Sequence, residues 1–448
     1  MQPVMKYSAL AAAVWAFNAT ALPVMESDST SLNLSLDGGL GYFNSQQSYG
    51  GNSGFRSEEG SVSWQEGYFK AGLDGSHSFG SSSVYGGVSV SATSTTGDGD
   101  AAGLTNGEER RVALENAYLG WKSGSLIPAL GENGVDISFG RQTLAIGDGF
   151  LINGDALNAG KGAEEALESW GVPAHDVDRG GAYWMGGSAR SAFDRTLIVR
   201  LGGDSGMRAD VFKVQSDNRL QGWTDFSGIN LEYVGETGTV GALLFTTDSY
   251  GSYSILADRD NLDTMSLRYQ GSLGIDNLFF SSEVARQKSD SGVVAHAGYV
   301  EAGWTFADLM WSPQLTYRYS SFDENFDALY YGFSRGYGTW FQGEVAANYA
   351  GPFNSNTDVQ HIGLKASVND GFSIGALWFD FSDHQKQAGV NNNGQELDLY
   401  AEYFLNDNML VSPLLGFYSP EKDAANGGSQ LGNSDTNLYA QLGFYFFY

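Results

Sequence analysis

The chain's acid–base candidates are five histidines, His77, His175, His296, His361 and His384, and none stands in a catalytic or metal-binding spacing. There is no H-E-x-x-H, no serine within G-x-S-x-G and no phosphate-binding glycine loop. Asp98-Gly99-Asp100 has the opening of a calcium loop without its remaining ligand spacing. Cysteine is absent, which removes thiolate ligands, thiol nucleophiles and disulfides together. Neither an enzyme nor a cofactor or metal site is expected. His361, on the polar row of an alternating segment, is expected only to line a polar interior.

What remains is charge chemistry. Arg200, Arg268, Arg318 and Lys365 each sit on the polar row of an alternating segment, and Glu344, Asp398 and Glu402 occupy rows of the same kind. These cations are expected to line a lumen, with the acids pairing much of their charge. The whole chain has 24 basic and 52 acidic residues, a net charge of -28, which disfavours nucleic acid as a partner. Much of the acid falls in expected loops: Asp98, Asp100, Glu108 and Glu109; Glu164, Glu165 and Glu168; Asp323, Glu324 and Asp327; Glu421 and Asp423. Such clusters solvate loops or, beside lipopolysaccharide, hold divalent cations.

The elements that must position these charges are strands. At the C-terminus, Leu438, Ala440, Leu442, Phe444, Phe446 and Tyr448 form one row, and Asn437, Tyr439, Gln441, Gly443 and Tyr445 the other. A last strand of this kind resembles the signal read by the bacterial barrel-assembly machinery, an expected partner. The same alternation recurs at Leu32–Tyr42, Val84–Ala92, Leu315–Tyr319, Phe341–Tyr349 and Ile362–Val368. Segments of about ten residues cross a bilayer when tilted, with one row to lipid and one to a polar lumen. Composition agrees: 61 glycines, 27 Phe, 24 Tyr and 10 Trp stand beside 8 prolines, at a mean hydropathy of -0.24.

No segment after the N-terminal run is long and apolar enough to be a membrane helix. That first run has Lys6, the apolar stretch Tyr7–Phe17 and the site Ala19-Thr20-Ala21, the pattern of a cleaved export signal over residues 1–21. Residues 22–448 are expected to form a single transmembrane antiparallel up-and-down β-barrel of about 18 strands in a Gram-negative outer membrane, in contact with its lipid and lipopolysaccharide. Glu58–Lys70 and Gly180–Gly187 alternate least clearly. Val368–Phe372 and Leu405–Met409 have the composition of tight turns. Thr95–Gly107, Leu144–Arg179 and Ser321–Gly338 are too long for that and belong outside or folded into the lumen. The second holds the one helical fragment, Lys161–Trp170, either a plug or lid that packs its apolar edge, Ala163, Ala166, Leu167 and Trp170, against the wall, or a mobile surface loop.

Several blocks resemble the alginate-export family of outer-membrane barrels: Glu115–Trp121, Ser138–Asp155, Arg179–Trp184 and, most specifically, Phe326–Glu344 leading into Asn354-Ser355-Asn356. The likeness runs weakly over nearly all of the mature chain. It implies a monomeric barrel of about eighteen strands that passes a polyuronate or other anionic saccharide through an arginine-lined pore. It adds Arg141 and Arg335 to the three arginines placed by alternation, with Tyr331 and Trp340 as ring surfaces for sugar beside Arg335. Guanidinium forks bind carboxylates bidentately and aromatic rings stack on sugar faces. The bland alternative ties Arg141 and Arg335 to acids such as Asp148 and Asp327. The strongly acidic balance departs from what a polyanion exporter needs. A diffusion porin for small solutes and a plugged structural or adhesive barrel are the alternatives to saccharide transport.

Overall fold

The structure, a computed structural model, describes residues 22–51, 54–249, 259–332, 342–351 and 354–448. Its strands in chain order are β1 (Leu22–Glu26), β2 (Thr30–Ser45), β3 (Val62–Phe79), β4 (Ser82–Gly97), β5 (Arg110–Lys122), β6 (Val135–Gln142), β7 (Phe193–Leu201), β8 (Gly206–Gln215), β9 (Asp225–Val234) and β10 (Gly238–Asp248). There follow β11 (Leu262–Gly271), β12 (Leu278–Lys288), β13 (Val294–Thr305), β14 (Gln314–Phe322), β15 (Thr357–Asn369), β16 (Phe372–Asp383), β17 (Gly394–Asn406), β18 (Met409–Pro420) and β19 (Asn437–Phe447). From β2 onward each strand pairs antiparallel with its neighbours in sequence. β19 then returns to β2, from Tyr439↔Ser45 to Phe447↔Asp37, closing an antiparallel barrel of 18 strands. β1 stands outside that count. It pairs with β2 from Leu22↔Leu34 to Glu26↔Ser31, the stretch of edge just beyond Tyr448.

Alternation selects the two faces. Leu40, Tyr42, Val88, Val90, Leu315, Tyr317, Ile362, Leu364 and Phe444 point outward, while Phe43, Ser89, Ser91, Arg318, His361, Tyr439 and Tyr445 are buried inside. In lipid no backbone group can be left unpaired, and a closed barrel with an apolar outer row satisfies that demand without a helix. Among the described residues no helix is long and apolar enough to cross a membrane. An apolar outer row around a closed antiparallel wall is the architecture of a transmembrane β-barrel.

At the end that carries Tyr448 the connections are mostly short. Asp370-Gly371 joins β15 to β16 and Asp407-Asn408 joins β17 to β18, as their composition predicts. At the other end the β6–β7 connection, residues 143–192, and the β14–β15 connection, residues 323–356, fold inward. Leu144, Ile146, Phe150, Leu151 and Ile152 pack on inner-wall residues Phe193, Ile198, Phe212, Phe226 and Phe245. On the opposite wall Trp184 and Met185 meet Phe43, Trp64 and Tyr439. Both long connections extend further than their sequence suggested.

Three expectations are corrected here. Phe341–Tyr349 is not a strand: Phe341 lies outside the described residues, and the chain from Glu344 to Ala350 is helical and buried. Its alanines have no β preference, and its first N–H groups find carboxylates on β17, with Val345 and Ala346 donating to Glu396 at 2.7 and 2.8 Å. Gly180–Gly187 is likewise not a strand but runs into the short helix Gly186–Ala189, whereas Glu58–Lys70 does lead into β3. The helix α1 (Lys161–Ser169) forms where expected, but buries only Ala163 and Leu167. It packs on the β4–β5 connection, where Gly160 and Ala163 donate to Leu104 O at 2.9 and 3.1 Å, rather than on the wall. Trp170 remains exposed and stacks on Phe55.

Candidate functional site

The inserted β6–β7 connection leaves a polar chamber of about 470 Å³ between its tip, Ala145–Asp148, and the inner face of β5 to β13. Glu132, Asn133 and Gly202–Asp204, from turns on the Tyr448 side, form its mouth. Register builds its wall as two side-chain ladders. In the first, Asp136, Arg200, Asp210 and Asn230 stand opposite one another on β6, β7, β8 and β9. Arg200 lies 3.8 Å from Asp136 and 4.0 Å from Asp210, and Asn230 donates to Asp210 at 3.0 Å.

The second ladder runs Arg208, Glu232, Gly241, Arg268 and Glu283 across β8 to β12. Gly241 makes this ladder possible. A Cβ there would stand 2.5 Å from the Arg268 Cζ, so its absence lets the guanidinium cross β10 to reach β9. Arg268 donates to Asn230 at 2.5 Å and to Glu232, which also accepts from Arg208. Gly147, at φ 60°, brings the loop tip onto Arg268, where a Cβ would meet the Cδ at 2.7 Å. Asp148 accepts from Ser281 at 2.6 Å and from Tyr299 at 2.8 Å, fixing the tip to the wall. The chamber therefore presents Lys122, Arg200, Arg208 and Arg268 among Glu132, Asp136, Asp148, Asp204, Asp210 and Glu232.

The residues singled out from sequence divide unequally. Arg200 and Arg268 share the chamber. Arg318 faces inward on β14 and pairs with Glu301 at 3.7 Å, apart from the chamber lining. Lys365 bonds Glu402 at 2.6 Å, a paired cation of the kind expected. Arg141 is buried, although simple alternation after Phe139 would send it to lipid. A register shift between Gly140 and Gln142, with Gly140 at φ 119°, interrupts the row. Arg141 then holds Asp194 and Asp217, each at 2.8 Å, and not Asp148. Tyr331 lies half-buried in the β14–β15 connection, and Arg335 and Trp340 fall outside the described residues.

Glu344 is buried in the lumen, but on the inserted connection rather than on a strand. It accepts the Trp184 indole N–H at 2.5 Å, tying the two inserted segments together. Burial raises its carboxyl well above the ordinary range. Asp398 accepts from the Glu344 N–H at 3.3 Å.

Two groups escaped the sequence reading. Arg259 is fully buried and grips Asp327 at 2.6 and 2.8 Å, taking the acid that had been matched to Arg335. Arg179 and Arg141 converge on Asp217 at 3.0 and 2.8 Å. Burial works against the Asp217 charge, yet the two guanidiniums hold its pKa at about 2. Both partners are distant in sequence, and only the basic-acidic composition of the segments hinted at them.

No family model matches the chain, and no curated protein matches it. Solved barrels match in fold. OccAB2 of Acinetobacter baumannii is 11% identical over 93% of this chain and 98% of its own, with a TM-score of 0.56. OpdQ of Pseudomonas aeruginosa is 12% identical over 94% and 99%, with a TM-score of 0.55. OccK5 (OpdH) of the same organism is 8% identical over 93% and 98%, also at 0.55. At these identities the likeness is one of architecture. It lends no support to the alginate-export family in particular.

Proposed function

We propose that the chain is a channel for small hydrophilic solutes, and that they pass through the chamber between the Ala145–Asp148 tip and the wall. The observation that carries this reading is the chamber itself, a polar space of about 470 Å³ inside the barrel, room for several waters or a small solute. Small-molecule sites fall in the range of roughly 300–1,000 Å³. Facing ladders of both signs replace part of a solute's hydration without binding one charge tightly. The finer reading, an anionic saccharide, has Arg200 and Arg268 in its favour. Against it, those guanidiniums are engaged by Asp136, Asp210 and Glu232, and the inserted segments occupy much of the width a polymer needs.

The test is single-channel conductance in planar bilayers. Thr239 lines the chamber, and Thr239→Trp is expected to cut conductance sharply while leaving assembly intact. Parent-like conductance in that variant, or no conductance in the parent, defeats the proposal.

A further inference from the structure

Inside the barrel Arg200, Arg208, Arg268 and Arg318 are paired with carboxylates, but the outer wall carries cations of a different kind. Arg110, Arg195, Lys213, Arg286 and Lys288 stand on the lipid-facing rows, and all five lie at strand ends on the side away from Tyr448. Among the described residues no lysine or arginine faces outward at the other rim. Arg195 has a partner, Asp194, at 3.4 Å. Arg286 and Lys288 make no hydrogen bond or ion pair among the described residues, although a bare guanidinium beside lipid is costly.

These two residues lie on the same face of β12, two positions apart, at the edge of a hollow in the outer wall. Its floor is apolar, with Leu244 and Met265, both outward-facing. Asp263 faces Lys288 across the strand pair and Arg286 faces Met265, so one cation is opposed and the other is not. The β12–β13 connection above them spans only residues 289–293. Two cations at the edge of an apolar hollow, one across from Asp263 and the other across from Met265, at one rim only, match a lipid with anionic groups at its head and acyl chains below. Lipopolysaccharide, whose anchor carries phosphates, has that form and is confined to the outer leaflet.

We propose that Arg286 and Lys288 form a docking site for a phosphate of outer-leaflet lipopolysaccharide, with its acyl chains against Leu244 and Met265. Arg286 supplies the planar fork that takes two phosphate oxygens, and Lys288 a second positive charge.

The test measures binding of purified lipopolysaccharide to the detergent-solubilised full chain, by native mass spectrometry and by competition. Near a membrane surface each cation contributes about a factor of five, so R286Q/K288Q is expected to bind roughly thirtyfold more weakly. Its conductance and heat-modifiable gel mobility should be those of the parent. R195Q should change little, and D263N should bind more tightly. Lipopolysaccharide stripped of its phosphates should bind the parent as weakly as the intact lipid binds the double variant. Unchanged affinity in R286Q/K288Q, equal binding of the dephosphorylated lipid, weaker binding by D263N, or equal competition by phosphatidylglycerol each overturns the assignment. A change in oligomeric state without a change in lipid affinity assigns the patch to a second copy of the chain and overturns it as well.

Discussion

Replacing Glu232 with Gln is the most informative perturbation of the chamber, because one carboxylate there holds both Arg208 and Arg268. The side chain keeps its shape, while the wall gains one net positive charge. A sphere of the chamber's 470 Å³ has a radius of about 5 Å, which sets the distance from a permeating ion to the wall charge. In a water-like dielectric a unit charge at about 5 Å is worth about 0.8 kcal/mol, close to a fourfold change in local ion concentration. Cations fall and anions rise by that factor, so the anion-to-cation permeability ratio should increase roughly fifteenfold in dilute salt and less as screening sets in. The assay is the reversal potential across a planar bilayer in a salt gradient, repeated at rising ionic strength. A reversal potential identical to the parent's at low salt, with conductance intact, refutes the placement of the ion path through the chamber.

Phe444 lies on the lipid-facing row of β19, so Phe444→Arg should impair assembly, at a cost of roughly 2–4 kcal/mol if the site is near the midplane. Surface levels equal to the parent's would mean that the row is misassigned. Deleting Ile146–Asp148 should raise conductance by unroofing the chamber, whereas deleting Gly160–Gly171 should leave it near the parent's because α1 packs on the β4–β5 connection. The reverse order would place the constriction at the helix. Asp217 is held at about 2 against an ordinary 3.8, so its folded-state pKa is depressed. Its contribution, on the order of 2 kcal/mol, is complete above its unfolded pKa and is lost as pH falls from about 4 through about 2. Asp217→Asn should therefore loosen the 143–192 connection at neutral pH, read as faster proteolysis there, and should flatten the parent's acid transition in that window. Equal cleavage of both forms would show that the arginine pairs do not dock the segment.

The wall was legible in the order of residues. A period-two pattern has only two faces to distribute, and lipid on one side makes the choice unambiguous, so Leu442, Phe444, Val88 and Leu364 were legible without a structure. The turns at Asp370-Gly371 and Asp407-Asn408 were equally local. Tertiary structure alone decided the interior. Alternation places Arg268 inward but says nothing of Gly241, opposite it on the neighbouring strand β10, which clears its route to Glu232 on β9. Arg141 read as a strand residue, and only the bulge at Gly140 and the approach of Asp217 gave it partners. At Val345–Tyr349 the alternation was accidental: helix N–H groups capped by Glu396, which lies 51 residues from Val345, outweighed a weak local pattern. Strand periodicity is a property of neighbouring residues and survives in sequence. Charge pairing and loop insertion depend on which strands and loops share the lumen, and that is fixed only when the barrel closes.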